Sequence, residues 1–245
     1  MNQNPTLEKL KAMRLSAMAQ LYHQHLTQNT SDQMTFDEQL AILVDHQWED
    51  WQNRKIERLL KQASFKQQAS ITNIDYACQR NLDRNMLERL ATLDFIKRKE
   101  NIILTGPSGV GKSYIAQALG HQACMLQHKT LYQNTARMFK KMKLCKIDGT
   151  YLKELNKILK VELLILDDFG LQSFDNNARE ALMDIIDERH GKSSTIIASQ
   201  IPVSDWYDII GESTIADAIL DRIVNSSHRI KLDGESMRKT ILNNQ

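Results

Sequence analysis

The sequence predicts an α/β protein, a mainly parallel sheet covered by helices on both faces, preceded by a small all-helical arm. Three observations predict it. After Asn101 short apolar runs alternate with helical segments, the pattern of parallel strands joined by crossover helices. The first of those runs ends in a glycine-rich loop that passes directly into a helix. Before residue 70 the chain has one proline (Pro5) and no glycine, and its apolar residues recur at helical steps.

In the arm, Leu7, Leu10, Met13, Ala17 and Leu21 recur every three or four residues and predict one amphipathic helix over residues 6–28. The polar stretch 27–35 reads as a loop. Thr35, with Glu38 three residues on, forms a capping box. A second helix is therefore expected to start there, end near 63–65 and carry Phe36, Leu40, Leu43, Trp51, Leu59 and Leu60 inward. Trp48 and Trp51 are read as core residues, with contact to a base or a partner as the alternative. The arm has few apolar residues with which to close a core alone, so it is expected to pack on another domain or subunit. Beyond it, strands are expected over 102–105, 130–133, 163–167 and 195–199 and near 228–232. Helices are expected over 112–127, 135–159, 176–190 and 204–223. The expected domains are 1–70 and 71–245.

The glycine-rich loop is Gly106-Pro107-Ser108-Gly109-Val110-Gly111-Lys112-Ser113. Strand, loop and helix in that order are the context of a Walker A phosphate loop. Its glycines let successive N–H groups turn inward around a phosphate at the positive end of the next helix. Lys112 is expected to reach the β- and γ-phosphates of ATP, and the Ser113 hydroxyl to give an oxygen to Mg2+. A second apolar run ends in Asp167-Asp168, at the strand end where open α/β sheets bind ligands. Asp167 is expected to hold the metal through water. Asp168 is expected to orient or deprotonate the attacking water. A third run ends in Ser199-Gln200, within reach of the γ-phosphate.

Of 245 residues, 42% are apolar and 25% charged, as in a soluble globular protein. No apolar run approaches the ~18 residues of a membrane span, and the amino terminus lacks the layout of a secretion signal. Cys78, Cys124 and Cys145 lack metal-ligand spacing, so reduced thiols, a cytoplasmic bacterial location and no zinc site are expected. Charge is unevenly spread. Residues 129–160 hold nine Lys/Arg against Asp148 and Glu154, a net +7, whereas residues 161–245 hold eight basic and fifteen acidic groups, a net −7. So basic a block fits either a polyanion contact or a solvated helical face.

Taken together, these segments resemble the AAA+ ATPases of the initiator and helicase-loader group, and within it the IstB-like helpers of insertion-sequence transposition. The resemblance rests on the loop 106–113 and on Leu163-Leu164-Ile165-Leu166-Asp167-Asp168-Phe169-Gly170. It rests also on Ser199-Gln200-Ile201-Pro202 with Trp206, on Asp221-Arg222-Ile223 through His228-Arg229-Ile230, and on Gly234-Glu235-Ser236-Met237-Arg238-Lys239. It spans nearly the whole chain. It implies a five-stranded parallel core with ATP between neighbouring subunits of a homo-oligomer. It further implies Gln200 in the sensor-1 position, Arg222 as an arginine finger offered to the adjacent subunit, and Arg238 as a sensor-2-like residue. Lys140, Lys141, Lys143 and Lys146 would then hold phosphates of DNA, duplex and without strong sequence preference. The arm would serve DNA clamping and oligomerisation. One departure is that Asp168 stands where many AAA+ proteins carry glutamate, which leads to an expectation of slow, regulated hydrolysis.

The function expected is an ATPase that assembles on target DNA and assists a separate transposase. No integrase-type carboxylate triad is recognisable, so the chain is not expected to cut DNA. The alternatives are a replicative helicase loader of the DnaC kind and a small-metabolite kinase. The kinase leaves the basic block and the arm unexplained.

Overall fold

The computed structural model describes residues 4–28, 34–78 and 80–237. They divide into two compact units between Arg58 and Leu59.

In the first unit, α1 (Pro5–Ala12) starts at Asn4, whose side chain accepts from Thr6 N at 3.0 Å, with Pro5 where no helical N–H is needed. The single helix expected over 6–28 is broken, and α2 runs over Ser16–Gln28. Arg14 adopts a φ of +62°. Leu15 N donates to Leu10 O and Arg14 N to Lys11 O, both at 2.9 Å, closing a Schellman turn. A left-handed non-glycine residue costs roughly 1–2 kcal/mol, so hydrophobic periodicity gives no warning of this break.

Helix α3 (Phe36–Ala63) begins at the expected capping box: Thr35 N donates to Glu38 Oε2 at 2.8 Å and Glu38 N to Thr35 Oγ1 at 3.3 Å. Its inward set needs correction. Leu59 is buried and Leu43 and Leu60 are half-buried, but Leu40 is exposed and Phe36, Trp48 and Trp51 are 79%, 59% and 47% exposed. Helix α2 has 13 residues and α3 has 28, and periodicity marks an apolar face without saying what covers it. Their link lies mid-helix, where buried Gln47 accepts from Met18 N at 3.1 Å and satisfies a donor in the first turn of α2.

In the second unit, α4 (Arg84–Ala91) and α5 (Asp94–Lys97) precede β1 (Asn101–Thr105), α6 (Lys112–Met125) and β2 (Thr130–Asn134). Then come α7 (Thr135–Ile147), α8 (Tyr151–Leu159), β3 (Leu163–Phe169), α9 (Asn176–Arg189) and β4 (Ser194–Ser199). Helices α10 (Trp206–Ile210) and α11 (Ser213–Val224) lead to β5 (Ser227–Lys231). The five strands lie in the order β2-β3-β4-β1-β5, every pair parallel. Alternation assigns the core. Ile102, Leu104, Leu163, Ile165 and Ile196 pack on one face with Ile115 and Leu119 of α6. Ile103, Leu164, Leu166 and Ile197 pack on the other with α7, α8, α9 and α11. Both faces are covered, which is why the strands read as continuous apolar runs.

Because all strands run the same way, their carboxyl ends share one edge of the sheet. The loop after β1, the end of β2, the end of β3 and Gln200 after β4 all fall there. The pairing of β3 with β4 slips between Leu166 and Phe169, and Asp168 takes a φ of +56°. An irregularity beside a ligand crevice re-aims side chains. Left-handed backbone is better tolerated by Asp and Asn than by most residues, a physical reason for an aspartate at this position.

Candidate functional site

Gly106, Gly109 and Gly111 hold φ values of +145°, +87° and +98°, conformations that turn backbone N–H groups into a common concavity. Gly106 has no room for more than hydrogen, since a Cβ there would lie 2.1 Å from Leu232 O. Val110 is fully buried and anchors the loop in the core. Lys112 opens α6 and is 7% exposed, its Nζ donating to Gly106 O at 2.7 Å and Pro107 O at 2.6 Å. Burial lowers its ammonium's pKa, and the neighbouring charges of Asp167 and Asp168 partly oppose that.

Asp167, 3% exposed, is held on every side. Its Oδ1 accepts from Ser113 Oγ at 2.8 Å and from Asp168 N at 3.0 Å, and its Oδ2 accepts from the Tyr132 hydroxyl at 2.6 Å. The Tyr132 phenol is pushed well above its ordinary pKa, first by burial and then by that carboxylate. Asp168 accepts from Asn134 Nδ2 at 2.8 Å, and Asn134 Oδ1 accepts from Arg137 N to cap α7. One side chain thus starts the lysine-bearing helix and holds the second carboxylate.

These groups open into a cavity of about 390 Å3 lined by Ser108, Gly109, Gly111, Lys112, Ser113, Asp168 and Gln200, so the sensor-1 candidate joins the phosphate loop. Its far wall is a segment that sequence reasoning did not single out: Gln67, Asn73, Ile74, Asp75 and Arg80. Arg80 is 5% exposed and donates to Val110 O at 3.1 Å and Asp75 O at 2.6 Å, while its own carbonyl accepts from Asp233 N. Fully buried Gln117 ties the same segment to α6, accepting from Lys66 N at 2.8 Å and donating to Ser113 O at 3.0 Å. Its signal was available, because a glutamine inside Ile115-Ala116-Gln117-Ala118-Leu119 must bring its own partners.

The remaining candidates lie elsewhere. Arg222 ends α11 at the amino-terminal edge of the sheet, beside Asn101 and Thr195 and opposite the phosphate loop. It pairs with Asp187 at 3.0 Å, not with Asp217 or Asp221 as charge proximity in sequence suggests. Arg238 lies outside the described residues, whereas Met237 lines the cavity and donates its N–H to Gly109 O at 3.1 Å. Three of the four α7 lysines are in ion pairs: Lys141 with Glu154, Lys143 with Asp175, and Lys146 with Glu180. Lys140 has no such partner among the described residues. With Lys143 it borders a second cavity of about 250 Å3 that also reaches Asp168.

Chemically, Ser113 and Asp167 present hard oxygens 2.8 Å apart. No group of three or more His, Cys, Asp or Glu able to hold a metal occurs among the described residues. A cation using one or two protein oxygens together with substrate phosphates is the habit of Mg2+. Among the described residues no helix is long and apolar enough to cross a membrane.

Comparison with known proteins gives a consistent result. The family described as IstB-like ATP binding protein matches residues 8–244. The insertion-sequence ATP-binding protein y4pL of Sinorhizobium fredii is 42% identical over 96% of this chain and 96% of its own length. The ATP-binding protein of insertion sequence IS21 from Pseudomonas aeruginosa is 30% identical, covering 95% of this chain and 86% of its own. Among solved structures, DnaI aligns with a TM-score of 0.56 at 24% identity, over 67% of this chain and 91% of that one. The replication initiator DnaA bound to AMPPCP and single-stranded DNA aligns with a TM-score of 0.56 at 19% identity, over 74% and 55%. At those identities the two structures show a shared fold.

Proposed function

This chain belongs to the IstB-like ATP-binding proteins of insertion sequences, and from that premise we propose that it is a cytoplasmic ATPase. It binds duplex DNA as a homo-oligomer and assists a separate transposase. Lys112 and the loop 106–113 bind the phosphates, Ser113 and Asp167 hold Mg2+, Asp168 positions the water and Gln200 the γ-phosphate. Bound Mg2+ neutralises developing charge on the phosphates, the main need of phosphoryl transfer. Arg222 stands at the edge opposite its own loop. A head-to-tail neighbour can therefore receive it, the arrangement that builds rings or filaments. Arg238 is proposed as the sensor-2-like residue on the family resemblance.

The observation that carries the DNA-linked reading is Asn134, which caps the lysine helix α7 and holds Asp168. A phosphate backbone seated on Lys140, Lys141, Lys143 and Lys146 would bear on α7 and hence on the carboxylate that orients water. The arm, 1–70, is proposed to clamp DNA and contribute to assembly. Its exposed Phe36, Trp48 and Trp51 leave apolar surface for a partner.

The test is duplex and single-stranded DNA binding with ATP, with ADP and without nucleotide. Tight, ATP-dependent, sequence-tolerant duplex binding supports the proposal. Preference for single strands together with stable capture of a replicative helicase would replace it with the loader reading.

A further inference from the structure

We propose that Tyr132 is a positioning residue for the metal-holding carboxylate, fixing the orientation in which Asp167 faces the Mg2+ site. The inference rests on the nucleotide-site reading above. Asp167 pairs in register with Asn134, and Tyr132 with Ile165. Paired residues of parallel strands point to the same face, so the Tyr132 ring lies against the α6 face of the sheet and its hydroxyl reaches two pairs ahead. There it donates to Asp167 Oδ2 at 2.6 Å, in a buried setting. Oδ1 meanwhile accepts from Ser113 Oγ at 2.8 Å and from Asp168 N at 3.0 Å. Each carboxylate oxygen is thus assigned its own partners, and the carboxylate holds one orientation.

Chemistry gives the assignment a consequence. Mg2+ demands near-octahedral geometry and takes carboxylate oxygens sparingly, whereas Ca2+ is larger and readily accepts both oxygens of one carboxylate. A carboxylate held in one orientation therefore matters more to Mg2+ than to the more permissive Ca2+. A second partner that orients a ligand in this way is typically worth ~10–100-fold in metal affinity.

Tyr132→Phe keeps the packed ring and removes only the hydroxyl. Binding of a fluorescent ATP analogue to the full chain is titrated with Mg2+, with Ca2+ and in EDTA. The expected result is a Mg2+ half-saturation raised about tenfold or more, a smaller loss for Ca2+, and affinity in EDTA unchanged within about twofold. Hydrolysis should recover when Mg2+ is raised. In an Asp167→Asn background, Tyr132→Phe should add no further shift to the residual Mg2+ response. An unchanged Mg2+ titration would overturn the proposal, even if thermal stability falls, because the hydroxyl is then only structural. An equal shift in the Asp167→Asn background would overturn it too. A wild-type chain that binds the analogue without responding to Mg2+ would instead overturn the metal role of Ser113 and Asp167, and one that does not bind it would overturn the nucleotide-site reading itself.

Discussion

Lys112 and Asp167, at the carboxyl edge of the sheet, are 7% and 3% exposed and locked to named partners. On α7, by contrast, Lys143 holds Asp175 with the two side chains 54% and 56% exposed. The two regions carry the same kinds of charge under different physics. Removing one partner from a buried charged network typically costs ~3–5 kcal/mol, because the survivor stays desolvated. An exposed ion pair contributes about 0–1 kcal/mol and is screened by salt. The first region therefore suits a fixed catalytic geometry. The second suits exchange, in which Asp175 and Glu180 give way to phosphates with little loss.

Breaking the buried region should have the largest effect. Lys112→Ala should abolish ATP-dependent assembly on duplex DNA, seen by electrophoretic shift; assembly at the wild-type level would separate DNA binding from the loop. Asp168→Asn should cut kcat by ~10²–10⁴-fold, the usual reach of general acid–base assistance, with nucleotide binding preserved by calorimetry. Hydrolysis near the wild-type rate would assign water positioning to another group.

How far these sites could be read in advance depended on how local their physics is. The strands, the loop 106–113, Asp167-Asp168 and the Thr35–Glu38 cap follow from short-range chemistry, and the structure has each expected strand within a few residues, whereas α4, α5 and the positions of the breaks after α7 and α10 were not anticipated. Arg80 was not legible, because its partners Val110 and Asp233 are far from it in sequence. Tyr132 and Asn134 became meaningful only once the β2–β3 register put them beside the two carboxylates. The left-handed Arg14 hid the break between α1 and α2. The exposure of Phe36 and Trp51 was not legible either, because periodicity marks an apolar face and not what covers it.

Intermediate effects belong to the group that joins the regions. Asn134→Ala removes a helix cap, typically ~1 kcal/mol, and frees Asp168. DNA-stimulated hydrolysis should lose its dependence on DNA while DNA affinity changes little; stimulation that persists would show the link to be incidental. The smallest effect is expected on the exchangeable face. Lys140→Ala should leave nucleotide binding intact and reduce the salt slope of duplex affinity by about one. An unchanged slope would place the DNA elsewhere.

The central claim is that occupancy of the buried site governs DNA binding through the exposed one. It is tested most directly by duplex affinity at fixed salt, with Mg2+ and a non-hydrolysable ATP analogue or with neither. The expected result is an affinity at least about tenfold tighter with the analogue, a difference of ~1.4 kcal/mol, that disappears in Lys112→Ala. Equal affinity with and without nucleotide in the wild-type chain would contradict it.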